Sequence, residues 1–191
     1  MIQIHLVMKK LKIIRKKMIT NILSHLENSA TIWADKTAIA DDKNSLTFAQ
    51  WNQLSRNIGT AIIQKTNSSL RKPVLVFVDR RIEGLVGFMG VVQSGNFYVP
   101  IDCKMPDQRV KLISDVLDPI AAITVTSSDE KTLDLIDFSG VRLRYDDVIN
   151  TTEDKQLLAD IREQMIDTDP VYSIFTSGST GVPKGVVIAQ R

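Results

Sequence analysis

The residues whose chemistry is easiest to interpret form a glycine- and hydroxyl-rich loop near the end of the 191-residue sequence. Glycines let a backbone adopt positive φ and approach a ligand closely, and serine and threonine hydroxyls donate hydrogen bonds. Successive backbone N–H groups in such a turn make an anion-binding nest, and a lysine adds a mobile positive charge. We therefore expect the loop to bind phosphate. The candidate residues are Thr176, Ser177, Gly178, Ser179, Thr180, Gly181, Lys184 and Gly185.

Three other interpretations of this loop fit the residues less well. A Walker-type loop needs glycine directly before the lysine and serine or threonine after it, whereas Lys184 lies between Pro183 and Gly185. The dinucleotide fingerprint needs G-x-G-x-x-G, whereas Gly178 and Gly181 have the spacing G-x-x-G. A flexible connector is rich in Gly and Ser but does not usually carry Lys and Pro between two apolar strands. The pattern indicates a phosphate loop of another kind.

The charge of the chain gives no indication of a nucleic-acid partner. Lys and Arg exceed Asp and Glu by only two, 24 against 22, and the basic excess is concentrated in residues 1–17. A secretory signal would place its charges ahead of one apolar run, whereas here the two are interleaved. We predict that residues 1–17 are an extension outside the fold, ahead of a second possible start at Met18, with a membrane-surface helix as the alternative. No apolar run is long enough to span a bilayer.

The sequence has too few cysteines and histidines to form several kinds of site. The single Cys103 cannot form an internal disulfide, and with only His5 and His25 beside it no Cys/His cluster for zinc is available. We expect a reducing, cytoplasmic setting and a partly buried, unreactive Cys103, and we predict no metal site. Three aspartates, Asp79, Asp102 and Asp107, are expected to serve as turn or cap residues.

The elements that must position the loop alternate between strand and helix. The apolar run Val74 to Val78 is typical of a strand covered on both faces, and it lies between helical patterns at Trp51 to Ile62 and Glu83 to Gln93. Thr47 and Gln50 form a capping-box pattern, and Gly95 is a helix stop. A small hairpin, Thr37 to Ala40 with Ser45 to Thr47, is predicted ahead of them.

The second half continues this alternation and ends at the loop. A helix is expected to begin at Pro106, strands at Ala121 to Thr126 and Val141 to Tyr145, and a helix at Glu153 to Met165. The strand Tyr172 to Phe175 enters the loop, and the strand Val186 to Ala189 leaves it. This order predicts an α/β fold with a predominantly parallel sheet flanked by helices. Ligands of such sheets bind beyond the carboxyl ends of the strands, where this loop is placed.

The run TSGSTGVPKG resembles, position by position, the phosphate-loop signature of the AMP-forming adenylating enzymes. That superfamily includes acyl-CoA ligases, luciferases and peptide-synthetase adenylation domains. Leu46 to Leu54 is similar to the family's first motif and Val92 to Asp102 to its second. The ending Tyr-Val-Pro-Ile-Asp resembles amino-acid adenylators, including D-alanine:carrier-protein ligases, more than fatty-acyl enzymes. In that motif Tyr98, Val99 and Ile101 are expected in the core and Pro100 as a strand terminator.

The resemblance covers residues 18–191 and implies ATP-dependent activation of a carboxylate. In the family, a carboxylate attacks the α-phosphate of Mg-ATP, pyrophosphate leaves, and the thiol of a carrier protein or CoA takes the acyl group. The resemblance thus implies ATP with Mg²⁺, a thiol acceptor and a small carboxylate substrate, with an amino acid as the favoured class. Thr176 and Ser177 are the leading hydroxyl contacts, and Lys184 is the stabilising charge.

The resemblance also implies that the N-terminal part of the adenylating-enzyme fold is present without the rest of the active site. The family's adenine and carboxylate pocket, ribose aspartate and C-terminal lysine follow the loop, whereas this sequence ends at Arg191. We expect the chain alone to be inactive and to expose apolar surface that the missing portion, if encoded separately, would cover. The alternative is a non-catalytic remnant that acts as a weak nucleotide-binding or interaction module.

Overall fold

A computed structural model describes residues 21–176 and 184–191 of the chain, and the expected N-terminal extension and most of the loop lie outside these ranges. The described residues form seven helices and eight strands. The helices are α1 Ile22–Ile32, α2 Phe48–Lys65, α3 Ile82–Gln93, α4 Asp107–Leu117, α5 Ser127–Leu135, α6 Tyr145–Val148 and α7 Lys155–Gln164. The strands are β1 Thr37–Ala40, β2 Ser45–Thr47, β3 Pro73–Val78, β4 Phe97–Asp102, β5 Ala121–Thr124, β6 Val141–Arg144, β7 Pro170–Thr176 and β8 Lys184–Ala189.

The main sheet has six strands in the order β6-β5-β3-β4-β7-β8. Its first five strands pair in parallel, and only β7 with β8 is antiparallel. A separate antiparallel hairpin, β1-β2, stands beside it. The sequence prediction of a predominantly parallel α/β sheet is therefore confirmed.

Helices cover both faces of the central strands. Along β3, Val74 and Val76 pack into a core that includes Ile58 and Ile62 of α2, while Leu75 packs into a second core on the opposite face. The second core takes its helical side chains from α4 and α5, and the β3 side chains in both cores are buried. Because parallel strands need cover on both faces, the uninterrupted apolar run of β3 follows directly from this arrangement.

Glycines allow α2 and α3 to approach closely. A Cβ on Gly90 would lie 2.4 Å from Cγ2 of Ile58, and one on Gly59 would lie 2.5 Å from Cβ of Gln93. Both distances are shorter than real carbon contacts. Each glycine backbone therefore packs directly against a side chain of the other helix, and this contact fixes the position of Gln93 at the end of α3.

Three sequence predictions about the elements are wrong, and helices α5 and α6 were not predicted. The strand expected to reach Thr126 ends at Thr124 because Thr126 caps α5 in a capping box with Asp129. The strand expected to reach Tyr145 ends at Arg144 because Tyr145 begins α6. Pro100 does not end its strand, since β4 pairs with β3 through Pro100 as far as Asp102. Proline lacks a donor, and it is tolerated here because β4 is joined to β7 by a single residue pair.

Candidate functional site

The two strands that flank the loop form an antiparallel hairpin at one edge of the sheet. Thr176, the last residue of β7, is paired with Lys184, the first residue of β8, and both are exposed. The hydroxyl-bearing and the cationic candidate residue thus stand on neighbouring strands at the mouth of the loop. The remaining candidates, Ser177, Gly178, Ser179, Thr180 and Gly181, lie outside the described residues.

Gly185 is needed for the close packing of this hairpin. It pairs with Phe175, and a Cβ at Gly185 would lie 2.8 Å from Cζ of the Phe175 ring. A larger residue would displace the ring or separate the strands. Packing against Phe175 therefore explains why position 185 is a glycine, and this explanation does not depend on any ligand.

The mouth of the loop lies at the carboxyl edge of the parallel sheet. Strand β7 runs parallel to β4, so Thr176 is on the same edge as the ends of β3 and β4. The chain leaves β3 toward the face covered by α3, and it leaves β4 toward the face covered by α4. Adjacent strands whose connections turn to opposite faces define a topological switch point, where α/β sheets bind ligands. The loop was predicted to lie beyond the carboxyl ends of the strands, and the two strands that flank it, β7 and β8, meet at this edge.

Arg109 is a residue near the loop that sequence reasoning missed. It lies in the first turn of α4, and its Nη2 donates to the carbonyl oxygen of Phe175 at 3.4 Å. This contact ties the end of β7 to the helix that follows β4. No local pattern marks Arg109, because its partner lies 66 residues away.

Side-chain contacts compensate for the short ladder between β4 and β7. The rings of Phe88, Tyr98 and Tyr172 stack in series, with centroid distances of 4.1 Å and 5.5 Å. Burial, assisted by Tyr172, raises the pKa of Tyr98 to about 12, so this hydroxyl stays neutral. At the start of β7, the buried Asp169 accepts from Nε of Arg71 at 2.7 Å. The strand that carries Thr176 is therefore held by aromatic stacking and an ion pair.

The aspartates at the carboxyl edge are used in local structure. Asp79 accepts from Nε of Arg81 at 2.6 Å, and this hydrogen bond is the main cause that raises the pKa of Arg81. Asp102 accepts from the backbone N–H of Lys104 at 2.8 Å and shapes the turn after β4. Asp107 accepts from the hydroxyl of Thr132 at 2.8 Å in the first turn of α4.

The start of α3, beside the switch point, is capped by Asp41 from the β1-β2 turn. Asp41 accepts from the backbone N–H groups of Lys43, Asn44 and Ile82, at 2.8, 2.8 and 3.1 Å. These hydrogen bonds, with that from Lys43 the strongest, lower the pKa of Asp41. The small hairpin therefore supplies the cap that α3 lacks from its own residue Arg81.

Cys103 lies directly after β4 and is partly buried. Burial raises the pKa of its thiol, and the carboxylates of Asp102 and Asp79 add to this effect. A thiol kept protonated in this way is a poor nucleophile. The environment agrees with the expectation that Cys103 is unreactive.

No metal cluster is found in the part of the chain that the structure describes. Residues 21–176 and 184–191 contain no group of three His, Cys, Asp or Glu side chains placed to hold a metal ion. Mg²⁺ commonly binds through one or two carboxylates together with substrate phosphates, so these residues do not form a protein cage for it. Within the same ranges, no helix combines the length and apolar character required to cross a bilayer.

Comparison with known proteins agrees with the motifs and the fold. The AMP-binding enzyme family matches residues 26–191. The chain is 32% identical over 168 residues to a D-alanine–D-alanyl carrier protein ligase of Staphylococcus epidermidis, covering 88% of this chain and 31% of that protein. It is 30% identical over 165 residues to one of the mycosubtilin synthase proteins of Bacillus subtilis, covering 86% of this chain and 6% of that protein.

Solved structures share the fold at lower sequence identity. A fatty acyl-adenylate ligase from L. pneumophila, solved with acyl adenylate and pyrophosphate, superposes with a TM-score of 0.72 at 17% identity. The superposition covers 91% of this chain and 31% of that one. The chain thus spans about a third of the length of these single-enzyme relatives. Because the family matches most of its residues, the chain belongs to the AMP-binding enzymes.

Proposed function

We propose that this chain provides the nucleotide-phosphate-binding part of an enzyme that activates a carboxylate with ATP. The observation that carries the proposal is the pairing of Thr176 with Lys184 at the carboxyl edge of the sheet, on either side of the glycine-rich loop. A hydroxyl and an ammonium group on paired positions of adjacent strands can both bind oxygens of one polyphosphate. The family and its carrier protein ligases support this assignment.

The reaction proposed for the whole enzyme has two steps. A carboxylate oxygen attacks the α-phosphorus of ATP, the bond from that phosphorus to the bridging oxygen breaks, and pyrophosphate leaves. A thiol then attacks the acyl carbonyl, its proton passes to a base, and AMP leaves. ATP is the co-substrate, and Mg²⁺ supplies further charge neutralisation when it is bound with the phosphates.

In this scheme, the chain's own residues position and stabilise the phosphates. The Lys184 ammonium group offsets negative charge on the β- and γ-phosphates, and the Thr176 hydroxyl donates to a phosphate oxygen. Ser177, Ser179 and Thr180 supply further hydroxyls, while Gly178 and Gly181 expose backbone N–H groups. Preorganised donors of this kind lower the barrier through electrostatics, without forming a covalent bond.

The substrate is proposed to be a small carboxylate, with an amino acid as the favoured class, and the acceptor a carrier-protein or CoA thiol. The motif Val92 to Asp102 and the D-alanine–D-alanyl carrier protein ligase relatives support the amino-acid class. Residues 18–191 would form the adenylation domain portion, with residues 1–17 outside it. A reducing, cytoplasmic location fits the single free cysteine of the sequence.

The remaining portion of the enzyme is proposed to pack on the β7-β8 hairpin. Four apolar side chains there are 40–56% exposed, and β8 pairs only with β7 within the described sheet. Surface of this kind is usually covered by protein. The four residues are Ile174, Val186, Val187 and Ile188.

The second candidate function is a non-catalytic module that binds nucleotide or another protein. The same exposed hairpin favours it, because an edge strand with apolar residues can accept a partner without any chemistry. Exchange of pyrophosphate into ATP separates the two functions. The enzyme hypothesis predicts carboxylate-dependent exchange by the native protein, tested first with D-alanine, and loss of that exchange with Lys184→Met.

The exchange assay has two controls: the 191-residue chain alone, and a variant that loses a lysine away from the loop. The 191-residue chain alone is expected to show no exchange, since it spans about a third of its ligase relatives. Lys111→Met removes a lysine from α4 that pairs with Asp115, and it should leave exchange unchanged. A native protein that has the mass of 191 residues and binds ATP without exchange for any carboxylate would favour the module instead.

A further inference from the structure

A second concave site lies away from the loop, where α1, α2, α7 and the end of α3 meet. It encloses a cavity of about 200 Å³. Gln93 ends α3 next to the amino end of β4, whereas Thr176 is at the carboxyl edge. The polar side chains that line the cavity are Glu27, Arg56, Gln93, Lys155 and Arg162.

Two hydrogen-bond donors at this cavity are buried without a partner. Gln93 is only 5% exposed, and its Nε2 makes no hydrogen bond with the residues that the structure describes. The same is true of Nη1 of Arg162, although Nη2 of that residue donates to Ser24 Oγ at 2.7 Å. A buried donor without an acceptor is unfavourable, because it has lost its hydrogen bonds to water without replacement. Both donors belong to side chains that line the cavity, so an acceptor bound there would be close to them.

The charge around the cavity is unbalanced in the positive direction. Three cationic side chains, Arg56, Lys155 and Arg162, line it against the single carboxylate of Glu27. Glu27 lies 3.9 Å from each guanidinium group, a separation too long for a strong hydrogen bond. Even with Glu153 included, which binds Arg56 at 2.6 Å from outside the lining, three cations face two carboxylates.

Arg162 is a partly buried cation whose charge is only partly compensated. Burial lowers its pKa, and the carboxylate of Glu27 only partly opposes this effect. No side-chain carboxylate lies within 4.0 Å of Lys155 in the described part of the chain. Water in the cavity would leave the positive charge in place.

We propose that this cavity binds a small oxyanion of the phosphate class. Arg162 would provide a charged donor, Gln93 a neutral donor and Lys155 a mobile ammonium group, while Arg56 stays held by Glu153. Guanidinium groups suit tetrahedral oxyanions because their N–H groups form a planar fork. The site is separate from the strands that flank the nucleotide loop, since none of its described lining residues belongs to β7 or β8.

The test is isothermal titration of the 191-residue chain with inorganic phosphate, at constant ionic strength kept by chloride. The chain is expected to show saturable binding with one site at this cavity. Arg162→Gln should weaken binding about tenfold or more, because it removes a charged donor. Lys155→Met, at an exposed position that does not enter the core, should weaken it several-fold through loss of charge.

Two variants show whether the effect is specific. Arg142→Gln removes an arginine that is paired with Asp134 and Glu130 elsewhere on the surface, and it should change the affinity less than twofold. Thermal unfolding without phosphate checks that each variant is folded. If Arg162→Gln does not fold, Lys155→Met and Gln93→Met decide the result.

Two results would overturn the proposal. One is the absence of saturable phosphate binding by the wild-type chain. The other is binding that Lys184→Met abolishes while Arg162→Gln and Lys155→Met do not, which would place phosphate at the loop. Loss of nucleotide binding with Lys184→Met while phosphate still binds the cavity would support this inference. The two proposals therefore fail independently.

Discussion

The central strands and the β7-β8 hairpin belong to one sheet but differ in cover. Leu75 and Val76 of β3 are fully buried between helices on both faces, whereas Val186 and Val187 of β8 are 52% and 56% exposed. Pairing also differs, because the ladder between β4 and β7 has a single paired position, Tyr98 with Tyr172. The region that supplies stability is thus distinct from the one that carries the candidate chemistry.

This difference assigns separate physical tasks to the two regions. The buried strands need no further partner, since apolar packing on both faces stabilises them. The hairpin depends on Asp169, Arg71, Arg109 and the stacked tyrosines for its position. The exposed apolar residues of β8 can therefore be changed with little effect on folding, and the effect of a substitution should depend on the region in which it lies.

The largest effect is expected from truncation of a central core residue. Leu75→Ala removes a fully buried side chain from the core between β3 and α4, and the free energy of unfolding should fall by about 2–5 kcal/mol. Val186→Ala on β8 should change it by less than about 0.5 kcal/mol. Urea unfolding of both variants measures the difference. Equal losses would show that the hairpin is as integral to the fold as β3.

A smaller effect is expected when the attachment of β7 is weakened. Asp169→Asn removes the carboxylate that binds Arg71 and accepts from the backbone N–H of Ile166, at a cost of about 1–3 kcal/mol. The loss should be local, because the helix-covered strands do not use this residue. Hydrogen exchange should accelerate for amides of β7 and β8 while those of β3 keep their protection.

The control for this substitution is a different aspartate, Asp115, which forms an exposed ion pair with a lysine. Asp115→Asn breaks the exposed pair with Lys111 on α4, and exposed pairs contribute about 0–1 kcal/mol. It should leave exchange in β7 and β8 unchanged. Acceleration spread evenly over all strands in Asp169→Asn would mean that the two regions unfold as one unit.

The smallest expected effect is a pH dependence at the cap of α3. The pKa of Asp41 is lowered in the folded chain, mainly by hydrogen bonds from backbone N–H groups. Its contribution to stability is present above the unfolded value near 3.8 and is lost as pH falls through the lower folded pKa. Asp41→Asn should therefore be less stable than wild type at about pH 6 and approach it near about pH 3. A constant difference across this range in thermal unfolding would contradict the assignment.

The helices and strands of the helix-covered part of the sheet were largely predictable from the sequence, because the patterns that mark them are local. The capping box of Thr47 and Gln50 and the positive φ of Gly95 are present where the pattern placed them. Helix α5 was missed because its box pairs Thr126 with Asp129, whereas the usual third residue is Glu or Gln. Treating Thr126 as a cap would have revealed it.

The candidate sites were less predictable, since their geometry depends on distant contacts. The motif identified Thr176 and Lys184, and the antiparallel register then placed them opposite each other. By contrast, the bond from Arg162 to Ser24 joins residues 138 apart, and no pattern brings Gln93 to the same cavity. Such sites become visible only after the helices are packed.

The most direct test of the central claim is equilibrium binding of ATP to the 191-residue chain and its single variants. Loss of the Lys184 charge in Lys184→Met should weaken ATP binding about tenfold or more, and Thr176→Ala about two- to tenfold. Lys111→Met should match the wild type. If Lys184→Met and Thr176→Ala bind ATP as tightly as Lys111→Met, the hairpin does not hold the nucleotide phosphates and the proposed function is wrong.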